Sequence, residues 1–143
     1  MKITDHFTLE ELTVTSTGLD NDPNDYEIAN LKVLANGLEL IRAAIGKPIN
    51  INSAFRSPEV NKAIGGASNS AHLLGYAADF TVNGMTNESI CNAIYKAGIQ
   101  FDQMIDENKG AQWVHISFDP KHRMQWLKFV DGEYKTVVPM LTA

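Results

Sequence analysis

The sequence predicts an α+β domain with a mostly antiparallel sheet and its helices packed on one side. Three observations predict it. Ile28, Leu31, Leu34, Leu38, Ile41 and Ile45 recur at steps of three and four, one long amphipathic stripe. The second half is dominated by short runs rich in β-branched and aromatic residues. Connections between the elements are short, so neighbours in sequence are expected to be neighbours in space.

Each element has a local reason. In FTLEEL, Thr8 followed by Glu11 fits a capping box for one short turn of helix. Residues 15–25, TSTGLDNDPND, form a loop rich in Gly, Asn, Asp and Pro. The amphipathic stripe makes a helix from about Asp25 to Ile45, stopped by Gly46 and Pro48. PININ at 48–52 reads as a strand. Ser57 caps a short helix with Pro58 at its first position, and Gly65 and Gly66 end it. Residues 67–75 read as loop and 76–82, YAADFTV, as a strand. A helix from Asn87 to Ala97 stops at Gly98. FDQMI at 101–105 and QWVHISF at 112–118 read as strands. Two more, 124–130 and 133–138, flank Asp131-Gly132, a strong hairpin signal.

Length and composition narrow the function. At 143 residues the chain is the size of one domain, 1–143, with no room for a separate binding domain. With 44% hydrophobic residues it can bury a core without covalent staples. Cys91 stands alone, so an intramolecular disulfide and a cysteine-rich zinc site are both excluded. A metal site must then combine carboxylates with His6, His72, His115 or His122. The net charge is −5 and the basic residues are scattered, which argues against nucleic acid as a partner. The opening MKITDHFTLEEL lacks the apolar stretch of a signal peptide, so cytoplasmic synthesis is expected. No run approaches the roughly 18 apolar residues of a membrane span. A monomer is expected.

Strand alternation locates a candidate metal site. In QWVHISF, Val114, Ile116 and Phe118 form one row, and Trp113, His115 and Ser117 the other. In YAADFTV, Ala78, Phe80 and Val82 oppose Ala77, Asp79 and Thr81. Each strand has an apolar face for the core and a face carrying one metal ligand. If the strands are neighbours, Asp79 and His115 converge, and a turn at Gly75 can bring His72 over them. Three protein ligands with a fourth place for water is the usual arrangement of catalytic zinc.

These residues also resemble a known family. Ser70-Ala71-His72-Leu73-Leu74-Gly75-Tyr76-Ala77-Ala78-Asp79 matches S-x-H-x-x-G-x-A-x-D, which resembles the signature of the zinc D-alanyl-D-alanine carboxypeptidase family. That family includes D-Ala-D-Ala dipeptidases and phage L-alanyl-D-glutamate endopeptidases that act as endolysins. Ser53-Ala54-Phe55-Arg56-Ser57 resembles its S-x-x-R-S segment. Phe101-Asp102-Gln103-Met104-Ile105, with the later Trp113-Val114-His115-Ile116-Ser117, resembles the closing strands of its small single-domain branch. The likeness covers about residues 6–118.

The resemblance implies a hedgehog-like, D-Ala-D-Ala peptidase-like fold, Zn²⁺ held by His72, Asp79 and His115, and a stem peptide or muropeptide of peptidoglycan as substrate. It implies Arg56 over the substrate carbonyl or carboxylate, a group suited to bidentate binding of an anion. The family's acid usually stands a few positions before the last histidine, and Gln112 is closest to that place here. In the small branch an acid follows the F-D-Q-x-I strand, which points to Glu107 as general base, then Asp106. Ser70, Gln103 and Trp113 are expected to line or support the cleft. An endolysin-type enzyme would act on the wall after release from the cell. The substitution at Gln112 keeps open a non-catalytic zinc-binding module for recognition or assembly.

Overall fold

A computed structural model describes residues 1–137, so the last residue of the strand expected at 133–138, and the end of the expected domain, lie outside the described residues. The chain opens with a small hairpin, β1 (Lys2–Thr4) and β2 (Phe7–Thr8), leading into α1 (Leu9–Leu12). Thr8 and Glu11 exchange the expected side-chain-to-backbone bonds, so the capping box forms. The long helix α2 is Asp25–Ile45; a second capping box, Asn24 with Glu27, starts it, and left-handed Gly46 ends it. Next come β3 (Asn50–Ser53), α3 (Pro58–Ala63) capped by Ser57, and a 3₁₀ turn at Ala71–Leu74. The remaining elements are β4 (Ala77–Thr81), α4 (Asn87–Lys96), β5 (Gln103–Lys109), β6 (Ala111–Ser117), β7 (Gln125–Val130) and β8 (Glu133–Thr136).

The main sheet is six-stranded in the order β3-β4-β6-β5-β7-β8. All its pairings are antiparallel except β5 with β7, which run parallel. The α+β, mostly antiparallel expectation is therefore met. The parallel pair arises because β6 returns beside β5, and residues 118–124 then cross to β5's other edge. Asp102 anchors that crossing: its carboxylate accepts from the Arg123 guanidinium at both oxygens and from the Arg123 backbone N–H.

One face of the sheet carries the core. Ala78 and Phe80 of β4, Met104 of β5, Val114 and Ile116 of β6 and Trp126 of β7 are buried there. They meet Leu31, Leu34, Leu38 and Ile41 of α2 and Ile90, Cys91 and Ile94 of α4. Registers confirm the shared face: Ala78 pairs with Ile116, which pairs with Met104, which pairs with Trp126. The two long helices thus cover one side, and the other side is left for chemistry.

Two segments differ from expectation. Residues 71–74 form the 3₁₀ turn rather than loop. Ser70 caps it by accepting from the His72 N–H, and Asn30 of α2 donates to the Leu74 carbonyl. The stretch between the strands expected at 101–105 and 112–118 is not a connecting loop. It continues β5 to Lys109 and turns back at Gly110, with Glu107 opposite Trp113 and Asn108 opposite Gln112. Polar and charged residues in DENKGAQ hid a hairpin whose extra length is strand, not connection.

Candidate metal centre

The site is built on the face away from the long helices. Asp79 on β4 pairs directly with His115 on β6, which pairs with Ile105 on β5. Directly opposed residues share a face, so Asp79 and His115 stand side by side above the sheet. A register shift between Ile51 and Ser53 places Ser53 opposite Asp79 as well.

The 3₁₀ turn supplies the third candidate ligand. Gly75, at φ +86°, ends it in the left-handed region, and a Cβ there would stand 2.9 Å from the Glu27 carbonyl of α2. Only glycine turns the chain there and lets it press on the helix. His72 is left buried, its Nδ1 2.6 Å from the Ala54 carbonyl oxygen. A carbonyl only accepts, so Nδ1 carries the proton and the Nε2 lone pair is free. That Nε2 lies 3.2 Å from Asp79 Oδ1, and His115 Nδ1 lies 2.9 Å from the same oxygen.

This arrangement asks for a cation. A neutral imidazole lone pair facing a carboxylate oxygen at 3.2 Å repels it unless positive charge lies between them. Burial pushes His72 toward its neutral form. Burial also opposes charge on Asp79, but positive charge at the positions of the two imidazoles outweighs it and holds the carboxyl well below the usual range, so a cation standing there keeps the carboxylate ionised. Ionised carboxylate and neutral imidazole are the protonation states a metal requires. The donor atoms of His72, Asp79 and His115 all lie within 4.8 Å of one another. Ligands at tetrahedral positions about 2.0–2.1 Å from a zinc ion stand roughly 3.3 Å apart, close to the two spacings observed. Two imidazoles and one carboxylate are also a familiar catalytic zinc donor set. The Ala54 carbonyl supplies the outer hydrogen bond that fixes a ligand histidine's tautomer and orientation.

Arg56 completes the centre. Its backbone N–H donates to the His72 carbonyl, tying its segment to the 3₁₀ turn. Its guanidinium donates to Ser53 Oγ at 3.2 Å, Asn61 Oδ1 at 3.1 Å and Asp79 Oδ2 at 3.3 Å. Burial lowers its proton affinity and Asp79 raises it, and a guanidinium remains charged throughout. Gly66 makes room: a Cβ there would meet Asn61 Oδ1 at 2.1 Å and Arg56 Nη1 at 2.9 Å. Asn61 was not anticipated from sequence, and Ser53 was matched only as the start of the S-x-x-R-S segment, without its contact to Arg56.

The other expected residues divide by strand face. Glu107 pairs with Trp113, two positions along from the Ile105–His115 pair, so both lie on the metal face. Glu107 is outside the ligand group itself and accepts from the Tyr134 hydroxyl. Asp106 pairs with Val114 on the opposite face, where Asn87 of α4 donates to it. The fallback base therefore stands behind the sheet. Gln112 alternates onto that same rear face and lines a groove there with Asp106 and Asn108. Gln103 is on the metal face, its amide donating to Gln125. Ser70 caps the ligand turn. His6 is bonded to Glu39 at the surface, His122 is exposed, Cys91 is core and Trp126 packs on Tyr95.

Three clustered donors, an adjacent guanidinium and an acid on the same face form a site that could hold a metal ion beside a fixed positive charge. The chain belongs to the Peptidase M15 family, whose model matches residues 5–117. It is also similar to the zinc D-Ala-D-Ala carboxypeptidase of Streptomyces albus G, at 50% identity over 52 residues. The aligned stretch is 36% of this chain and 20% of that protein, so the chain covers only about a fifth of the relative's length. The family expectation from the S-x-H-x-x-G-x-A-x-D segment is borne out.

Proposed function

We propose that the chain is a zinc peptidase that hydrolyses a peptide bond in peptidoglycan stem peptides. The observation that carries this is the His72 lone pair held against Asp79 beside His115, in a chain of the Peptidase M15 family. His72, Asp79 and His115 would hold the zinc, which would supply Lewis acidity toward the scissile carbonyl and the attacking water. Glu107 takes the proton of the attacking water and returns it to the leaving amine. Arg56, already beside Asp79, stabilises the developing oxyanion. Trp113 and Gln103 flank the ligands along the face, and Ser70 holds the turn that presents His72.

Within this class we favour an endolysin-type endopeptidase over a D,D-carboxypeptidase. The ligands sit midway along their face, with the Gln103–Ser117 pair to one side and the Glu107–Trp113 pair to the other. An extended peptide can cross such a surface in both directions. The hedgehog-like fold, a monomeric state and action on the wall after release from the cell belong to this reading.

The test is incubation of purified protein with defined muropeptides, with added zinc and with chelator, followed by mass spectrometry. New amino groups that depend on zinc are expected, and the product masses name the bond. Zinc binding without cleavage would sink the peptidase reading in favour of a binding module. The main support for that module was Gln112. Since Gln112 points behind the sheet, it says little about chemistry on the front.

A further inference from the structure

Beyond residue 117, where the family match ends, the chain adds the β7–β8 hairpin. Its turn, Asp131-Gly132, has both residues at positive φ, the conformation of a tight two-residue hairpin turn. Phe129 pairs with Tyr134 across it, and both rings lie on the metal face, with centroids 4.9 Å apart. The hairpin thereby reaches Glu107. The Tyr134 hydroxyl donates to Glu107 Oε1 at 3.1 Å and lies 3.5 Å from Oε2. Lys109 Nζ stands 3.6 Å from Oε2 and 4.9 Å above the Phe129 ring.

We propose that Tyr134 is a positioning residue for Glu107, holding its carboxylate in the orientation that proton transfer needs. The proposal rests on reading Glu107 as the base. Glu107 is only 5% exposed, so little water reaches it and its carboxylate needs protein donors. A glutamate has three rotatable bonds and wanders unless it is held. Tyr134, by contrast, brings its hydroxyl on a ring with two, braced against Phe129. The residue is itself 48% exposed, so it contributes little to the core. What its hydroxyl does contribute is the hydrogen bond to Glu107. The hydroxyl, at 3.1 Å from Oε1, is the nearer of the two donors, against 3.6 Å for the Lys109 ammonium at Oε2. Lys109 adds a looser electrostatic contact from the next position on the same face of β5.

The experiment compares native protein, Y134F, E107Q and the double variant Y134F/E107Q on one cleavable muropeptide. Bound zinc and melting temperature are measured for each. Y134F keeps the ring and removes only the hydroxyl. It is expected to lower kcat about tenfold, with KM within about twofold, because a small misplacement of a reacting group is costly. Zinc content and melting temperature should match those of native protein. In the E107Q background, the same change should reduce the residual rate no further, since Tyr134 acts through Glu107. Native kcat in Y134F beside an inactive E107Q overturns the proposal and leaves the base reading intact. So does a further tenfold loss in the double variant, which would put Tyr134 on the substrate instead. A fully active E107Q overturns the base reading, and the proposal with it.

Discussion

Arg56 donates to Asp79 at Oδ2, 3.3 Å away, while both histidines approach Oδ1. The two oxygens of one carboxylate therefore serve different groups. The guanidinium fixes the plane of the carboxylate and leaves the other oxygen turned toward the imidazoles. The same guanidinium is held by Ser53 and Asn61, so it does not depend on Asp79 for its place. Under the proposed mechanism it would act on Asp79 and on a substrate oxygen together.

Replacing Arg56 should therefore impair turnover more than metal binding. R56K keeps a positive charge but loses the planar fork that reaches Ser53, Asn61 and Asp79 at once. We expect kcat/KM to fall about 100-fold, the scale of losing one oxyanion donor. Zinc content should stay above half of native. Steady-state kinetics paired with metal analysis checks this; native kcat/KM in R56K would remove Arg56 from the mechanism.

The ligand residues should behave oppositely. H72A, D79A and H115A each remove one of the clustered donor atoms. Each is expected to purify with substoichiometric zinc and to show no zinc-dependent cleavage. Equilibrium dialysis against a chromogenic chelator reads the affinity. A variant that keeps native affinity would show that its residue is not a ligand.

Glu107 and Asp106 are adjacent in sequence but face opposite sides of β5. E107Q should bind zinc as native protein does while kcat falls at least 100-fold, within the range assigned to a lost general base. D106N should leave kcat within about twofold, because Asp106 faces Asn87 behind the sheet. An active E107Q with an inactive D106N would reverse the assignment.

That contrast shows what alternation made legible and what it did not. Period-two patterning put Asp79 and His115 on one face from sequence alone, because both strands carry a clean apolar row for the core. The capping box at Thr8 and the turn at Asp131-Gly132 were legible because each depends on residues close in sequence. The segment DENKGAQ lacks an apolar row, so neither its strand character nor the face of Asp106 could be read. Tyr134 was invisible for another reason. Its partner Glu107 lies 27 residues away, joined to it only through the β5–β7 pairing and the hairpin that follows. The 3₁₀ turn at His72 likewise owes its form to α2, through Asn30 and the space that Gly75 leaves.

Asp102 offers a pH test of the fold apart from the chemistry. Its carboxylate has 3% side-chain exposure and is bound by Arg123 through paired hydrogen bonds. Those bonds hold it below the usual carboxylate range, against the opposing effect of burial. A folded-state value below the unfolded one, about 3.9, means that the unfolded chain binds the proton more readily. The resulting stability is present in full above the unfolded value and is lost as pH falls through the folded one. D102N should thus cost about 1.5–3 kcal/mol near neutral pH, the scale of hydrogen bonds to a charged group. The gap between native and D102N melting temperatures should narrow as pH drops below about 4, because protonation then makes the native side chain neutral as well. Thermal melts of both proteins from pH 7 to pH 2 measure it. A gap that stays constant across that range would mean that Asp102 supports the 118–124 crossing by shape, with its charge contributing nothing.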